Sequence, residues 1–263
     1  MYLPRPPRRR VLCSLIAAAV AALTPAVASP VLADEALVAV ATNFAEVIQE
    51  LEVRFESVTH HRVTFTTGST GKLYSQIVNG APFDVLLAAN QLHPQRLETA
   101  GGAVAGSRFT YAVGHLTLWS PDVGRVAENG VETLSSGDFR VLAMANPELA
   151  PYGAAARQTL AALGLLDGLR ERIVMGQNIG QTYSMVATGN AELGFVALSH
   201  VLSRRNRKPG SRWDVPADLH APIRQDAVLL ARAAKNLAAH AFLDFLGRQE
   251  TKVTIARYGY GVE

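Results

Sequence analysis

The 263-residue chain is 49% hydrophobic and 18% charged, with a formal net charge of +3. The length allows one large or two modest domains with a proper core. The positive excess is confined to the first residues, so it does not point to a nucleic-acid partner.

Residues 1–33 read as a secretory leader. Arg5, Arg8, Arg9 and Arg10 stand without an acid, residues 11–23 are apolar, and small-residue sites follow at Ala26/Ala28 and Val31/Ala33. This order of basic, apolar and small residues is that of a signal peptide, with cleavage expected after Ala33. The apolar run falls short of the ~20 residues that span a bilayer. Arg8-Arg9-Arg10 also resembles a twin-arginine export signal. Removing the leader's four arginines leaves 21 basic against 22 acidic residues, a mature charge of about −1. The single cysteine, Cys13, lies inside the leader and not at its end, where a lipid would be attached. The mature chain would then have no cysteine, which excludes thiol catalysis and thiolate metal sites.

Strand-like and helix-like segments then alternate. Residues 37–41 form an apolar run. Phe44, Val47, Ile48, Leu51 and Phe55 fall on one helical stripe. A second strand is expected at 62–66, a helix at 71–78, a buried strand at 83–88 and one long strand at 109–119, ended by Ser120-Pro121. Further strands are expected at 140–144, 172–175, 193–197 and 227–230. Helices are expected near 153–163, 180–188 and 236–246. This alternation predicts an α/β protein with mostly parallel sheets. The basic run at 204–208 reads as a solvated loop, and His60-His61 as a surface turn.

The stretch TGSTGKL, residues 67–73, invites comparison with a phosphate loop. That loop needs glycine five residues before Gly71 and a hydroxyl after Lys72; the chain has Thr66 and Leu73 instead, so the metal-ligand hydroxyl is missing. Lys72 is expected to face solvent. What remains is a hydroxyl-rich turn from strand to helix, and it is one of four. Thr42-Asn43, Ser69-Thr70-Gly71, Pro151-Tyr152-Gly153 and Asn178-Ile179-Gly180 each precede a helical segment. Free N–H groups and the macrodipole favour an anion at such a start. Taken singly, Ser, Thr and Asn there are ordinary caps. In an open parallel sheet, however, such turns meet at the carboxyl ends of the strands. Four converging turns would make a site of donors alone, suited to an oxyanion that carries no proton.

The motifs AVATNF, TTGSTGKLYSQIVNGAPFDV, ANPELAPYG, GQNIGQ and GFVAL together resemble the periplasmic molybdate-binding proteins of ABC importers (the ModA family), over essentially the whole mature chain. The resemblance implies a two-lobed, hinged type II binding-protein fold. Each lobe would be a mostly parallel sheet flanked by helices, with the anion held between them. Residues 34–114 and 226–263 would form the first lobe and 115–225 the second, with crossings near His115 and Ile223. Carried over singly, the ligand positions are Thr42, Asn43, Ser69, Thr70, Tyr152 and, through its backbone N–H, Ile179. Thr70 stands where the family has a serine. Ala197 stands where one branch has a ligand tyrosine, a contact for which Tyr152 would substitute.

The resemblance implies a periplasmic monomer that captures molybdate, and tungstate with it, and delivers it to an inner-membrane ABC permease. It implies no cofactor, no catalytic residue, no bare-cation site and no nucleic acid. Sulfate has the same shape and charge, so the donor set alone leaves it open, whereas phosphate would want an acceptor for its proton. Two other classes are a secreted hydrolase using Ser69, for which no histidine shows motif spacing, and a transcriptional effector domain, which the leader argues against.

Overall fold

The computed structural model describes residues 34–263, together with Met1 and Tyr2. The leader reading of residues 1–33 and its cleavage site lie outside the described residues.

Strand β1 (Glu35–Ala41) leads through a single 3-10 turn, Thr42–Phe44, into helix α1 (Ala45–Thr59). Val47, Ile48, Leu51 and Phe55 are buried, so the stripe at helical spacing is the core face. The chain returns as β2 (Arg62–Gly68), turns at Ser69 into α2 (Thr70–Val78), and continues through β3 (Val85–Leu87) and α3 (Leu92–Thr99) to β4 (Phe109–Gly114). The apolar stretch 109–119 is not one strand. It breaks at the exposed His115, and β5 (Leu116–Ser120) belongs to a different sheet. Both halves are apolar because both enter cores, so periodicity alone cannot reveal the break.

The second sheet is built from α4 (Gly130–Ser136), β6 (Leu142–Ala145), α5 (Pro151–Ala162), the single turn α6 (Leu166–Leu169), β7 (Ile173–Gly176), α7 (Ile179–Ala187), β8 (Leu193–Ala197), the short α8 (Leu198–Val201) and β9 (Ser211–Asp214). Strand β10 (Ile223–Leu229) then rejoins the first sheet, and α9 (Leu237–Gly247) and α10 (Gln249–Arg257) follow. Phe55 of α1 meets Phe242 of α9 edge-to-face at 5.3 Å, closing the first core.

The two sheets share one plan. The first runs β2-β1-β3-β10-β4 and the second β7-β6-β8-β5-β9. In each, the first three strands are parallel and the fourth, β10 or β5, is antiparallel to both neighbours. Register decides what this positions. Ala41 pairs with Gly68, so the turns at Thr42 and Ser69 leave neighbouring strand ends side by side. Ala145 pairs with Gly176, which does the same for the turns leading to Tyr152 and Ile179. The basic run at 204–208 is an exposed loop, tied to α1 by Arg205 donating to Gln49 Oε1 at 2.5 Å. Among the described residues, no helix is long and apolar enough to cross a membrane.

Candidate functional site

Thr42, Asn43, Ser69, Thr70, Tyr152 and Ile179 line one small cavity, completed by Ala41, Gly68, Ala89, Ala150 and Pro151. The first sheet supplies four of the six and the second sheet two. No residue of this lining bears a charge and none is a histidine.

The hydroxyls of Thr42, Ser69 and Thr70 and the backbone amides are set up as donors. Thr70 Oγ1 accepts from the Ala89 amide at 2.9 Å, so its own proton is free to point elsewhere. The Thr42 hydroxyl accepts from the Gly180 amide at 3.3 Å in the same way. Ser69 Oγ is buried without a hydrogen-bond partner among the described residues. A buried hydroxyl left so costs free energy unless an acceptor arrives. The amides of Thr70, Tyr152 and Ile179 open α2, α5 and α7 and find no acceptor among the described residues. The structure differs from the sequence reading at two turns. Tyr152 and Gly153 already lie inside the first turn of α5, whose N1 residue is Pro151. Asn178 uses its side chain as the N-cap of α7, accepting from Gln181 N at 2.8 Å, and does not line the cavity.

Asn43 and Tyr152 are joined through a residue that the sequence does not single out. Gln225 on β10 is fully buried; its Oε1 accepts from Asn43 Nδ2 at 2.8 Å, and its Nε2 lies 3.3 Å from the Tyr152 hydroxyl. Tyr260 donates to Asn43 O at 2.7 Å. The one available signal is a glutamine and an aspartate, Gln225-Asp226, at the head of an otherwise apolar run. Burial pushes the Tyr152 and Tyr260 hydroxyls well above the usual tyrosine range, so both keep their protons at any physiological pH.

The two halves are in direct contact. Gly180 N reaches Thr42, Gly71 N donates to Leu149 O at 2.9 Å, and Ser199 Oγ donates to Asn43 O at 3.1 Å. A Cβ at Gly71 would lie 3.1 Å from Leu149 O, so the close approach uses the glycine. Charged side chains near the turns face outward. Lys72 is exposed, and Glu148 pairs with Arg157 at 2.6 Å on the surface. Among the described residues, no base lies within hydrogen-bond reach of Ser69 Oγ.

The model of the bacterial extracellular solute-binding protein family matches residues 36–261. The chain is 50% identical over 231 residues to the molybdate-binding protein ModA of Azotobacter vinelandii, covering 88% of this chain and 91% of that protein. It is 45% identical over 242 residues to the ModA of Rhodobacter capsulatus, covering 92% and 94%. The solved structure of the Azotobacter vinelandii periplasmic molybdate-binding protein superposes with a TM-score of 0.83 at 40% identity, over 87% of this chain and 99% of that one. These likenesses in sequence and fold, over 87–92% of the chain, place it in the ModA family of bacterial extracellular solute-binding proteins.

Proposed function

We propose that the protein binds molybdate, and tungstate with it, in the cavity between its two sheets and delivers the anion to an inner-membrane ABC permease. It would work in the periplasm as a monomer. The observation that carries this reading is the polarity of the cavity: hydroxyls and amides only, several already oriented as donors, and no acceptor carboxylate. Such walls favour a fully deprotonated tetrahedral anion and disfavour phosphate, whose proton needs an acceptor. Thr42, Asn43, Ser69, Thr70, Tyr152 and the Ile179 amide are the proposed contacts. Hydrogen bonds to a charged group contribute about 1.5–3 kcal/mol each, so six convergent donors suffice for tight binding without a cation.

Residues 34–114 with 226–263, and residues 115–225, are the proposed moving lobes, with the chain crossing near His115 and returning near Ile223. An anion touching both lobes favours the closed form, which the permease would read. The test is a calorimetric titration with molybdate, tungstate, sulfate and phosphate. Molybdate and tungstate should bind far more tightly than sulfate. Equal or tighter sulfate binding would overturn the assignment.

A further inference from the structure

Behind the cavity lies a buried polar cluster whose hydrogen bonds do not all close. Asn43 Nδ2 lies 2.8 Å from Gln225 Oε1 and 3.0 Å from the Tyr260 hydroxyl, so both of its protons are spent. Its Oδ1, in a residue that lines the cavity, is buried without a partner among the described residues. Gln225 Oε1 also lies 3.2 Å from the Tyr111 hydroxyl, which has a second acceptor in Ala88 O at 3.2 Å.

A carboxamide has the same shape with its nitrogen and oxygen exchanged, and the surrounding bonds decide its orientation. Reversing Asn43 alone would face oxygen with oxygen at 2.8 Å, so Asn43 and Gln225 must turn together. After both turn, Gln225 Nε2 donates to Asn43 Oδ1 and to Tyr111, and Tyr111 donates to Ala88 O. Tyr152 donates to Gln225 Oε1 and Tyr260 to Asn43 Oδ1, while Ser199 Oγ, 3.1 Å away, serves Asn43 O. Every bond is kept. The orphan oxygen is replaced by an N–H donor.

We propose that Gln225 is a positioning residue of the anion site: from β10 it fixes the Asn43 carboxamide so that Asn43 presents N–H, not C=O, to the bound anion. Gln225 also takes the Tyr152 hydroxyl proton, so Tyr152 serves the anion through its backbone amide. The functional meaning of this arrangement rests on the anion reading of the cavity; the arrangement itself does not.

Two measurements test it. In the free protein, the Gln225 side-chain NH₂ should show nuclear Overhauser contacts to the Tyr111 ring. Contacts to the Tyr152 ring in their place overturn the proposal, whatever the ligand proves to be. In molybdate titrations, Gln225→Glu, whose carboxylate can only accept, should turn Asn43 Oδ1 toward the anion and weaken binding by about tenfold or more. In an Asn43→Ala background at least half of that loss, on a logarithmic scale, should vanish. Fully additive losses overturn the proposal, because a merely structural glutamine or a simple charge effect would not depend on Asn43. Failure of the wild-type protein to bind any tetrahedral oxyanion would instead sink the functional reading, and the Overhauser pattern would still decide the role of Gln225.

Discussion

Gly114 leaves the space that the Tyr152 hydroxyl fills. A Cβ at Gly114 would overlap that oxygen and lie 2.7 Å from Gln225 Nε2. Gly114 ends the last strand before the chain crosses to the second sheet, and Tyr152 opens a helix of that second sheet. The pair is therefore a closure contact at the crossing point. Gly114→Ala should hold the two halves apart by the clash, at a cost on the overpacking scale of about 1–3 kcal/mol. Molybdate affinity should fall about tenfold or more by calorimetry, with far-ultraviolet circular dichroism unchanged. Wild-type affinity would mean the contact forms without consequence for binding.

Ser69 and Thr70 should separate binding from stability. The Ser69 hydroxyl has no partner among the described residues, so Ser69→Ala removes an unsatisfied buried group. Its thermal midpoint without anion should be unchanged or raised, while molybdate affinity falls by about 1.5–3 kcal/mol. Thr70→Ala strips the Ala89 amide of its acceptor, so that variant should lose both affinity and anion-free stability. A Ser69→Ala protein with full affinity would remove Ser69 from the site.

His200 gives a pH dependence with a definite sign. Its Nε2 lies 3.3 Å from Thr42 O, and since a carbonyl can only accept, Nε2 carries the proton. Nδ1 is then a buried acceptor without a partner among the described residues. Burial lowers the histidine from 6.5 to about 4, with the Thr42 carbonyl opposing the shift. The unfolded chain thus takes up a proton at a higher pH than the folded one. Stability should be fully present above pH 6.5 and fall as the pH drops from 6.5 toward 4. His200→Gln should flatten that slope in urea melts recorded across the interval. An unchanged slope would assign it to other groups.

Asp226 holds the first sheet together away from the cavity. Its buried carboxylate accepts from Arg108 Nη1 at 2.6 Å and from Thr110 Oγ1 at 2.8 Å. Asp226→Ala should destabilise the protein by about 3 kcal/mol, the scale for breaking a buried pair by removing one partner. Molybdate affinity of the folded fraction should stay within a few-fold of wild type. A large affinity loss at preserved stability would show that Asp226 acts on the site through its neighbour Gln225.

The legibility of the fold follows the range of the interactions. The stripe Val47, Ile48, Leu51 and Phe55 is buried as its spacing implies, because helical periodicity is local. The stretch 109–119 misleads for the opposite reason: its two halves are equally apolar, and only their separate partners, β10 for one and β8 with β9 for the other, divide them. Helices α3 and α10 are not legible in the sequence either. The first buries only Pro94 and Leu97, and the second buries Thr251, Thr254 and Ile255, so neither carries an apolar stripe at helical spacing.

What the sequence by itself determined are the donor types at the helix starts: Thr42, Asn43, Ser69, Thr70 and the Ile179 amide, with no charge among them. These depend on residue identity and on the chain's local turn from strand to helix. Only the tertiary structure decided that the turns face one another, because that follows from the registers Ala41 with Gly68 and Ala145 with Gly176 and from contact between the two sheets. It alone also revealed Gln225, 182 residues from Asn43 in sequence yet 2.8 Å away. A hydrogen bond between residues so distant leaves no local pattern, since nothing in the chain around either residue requires the other.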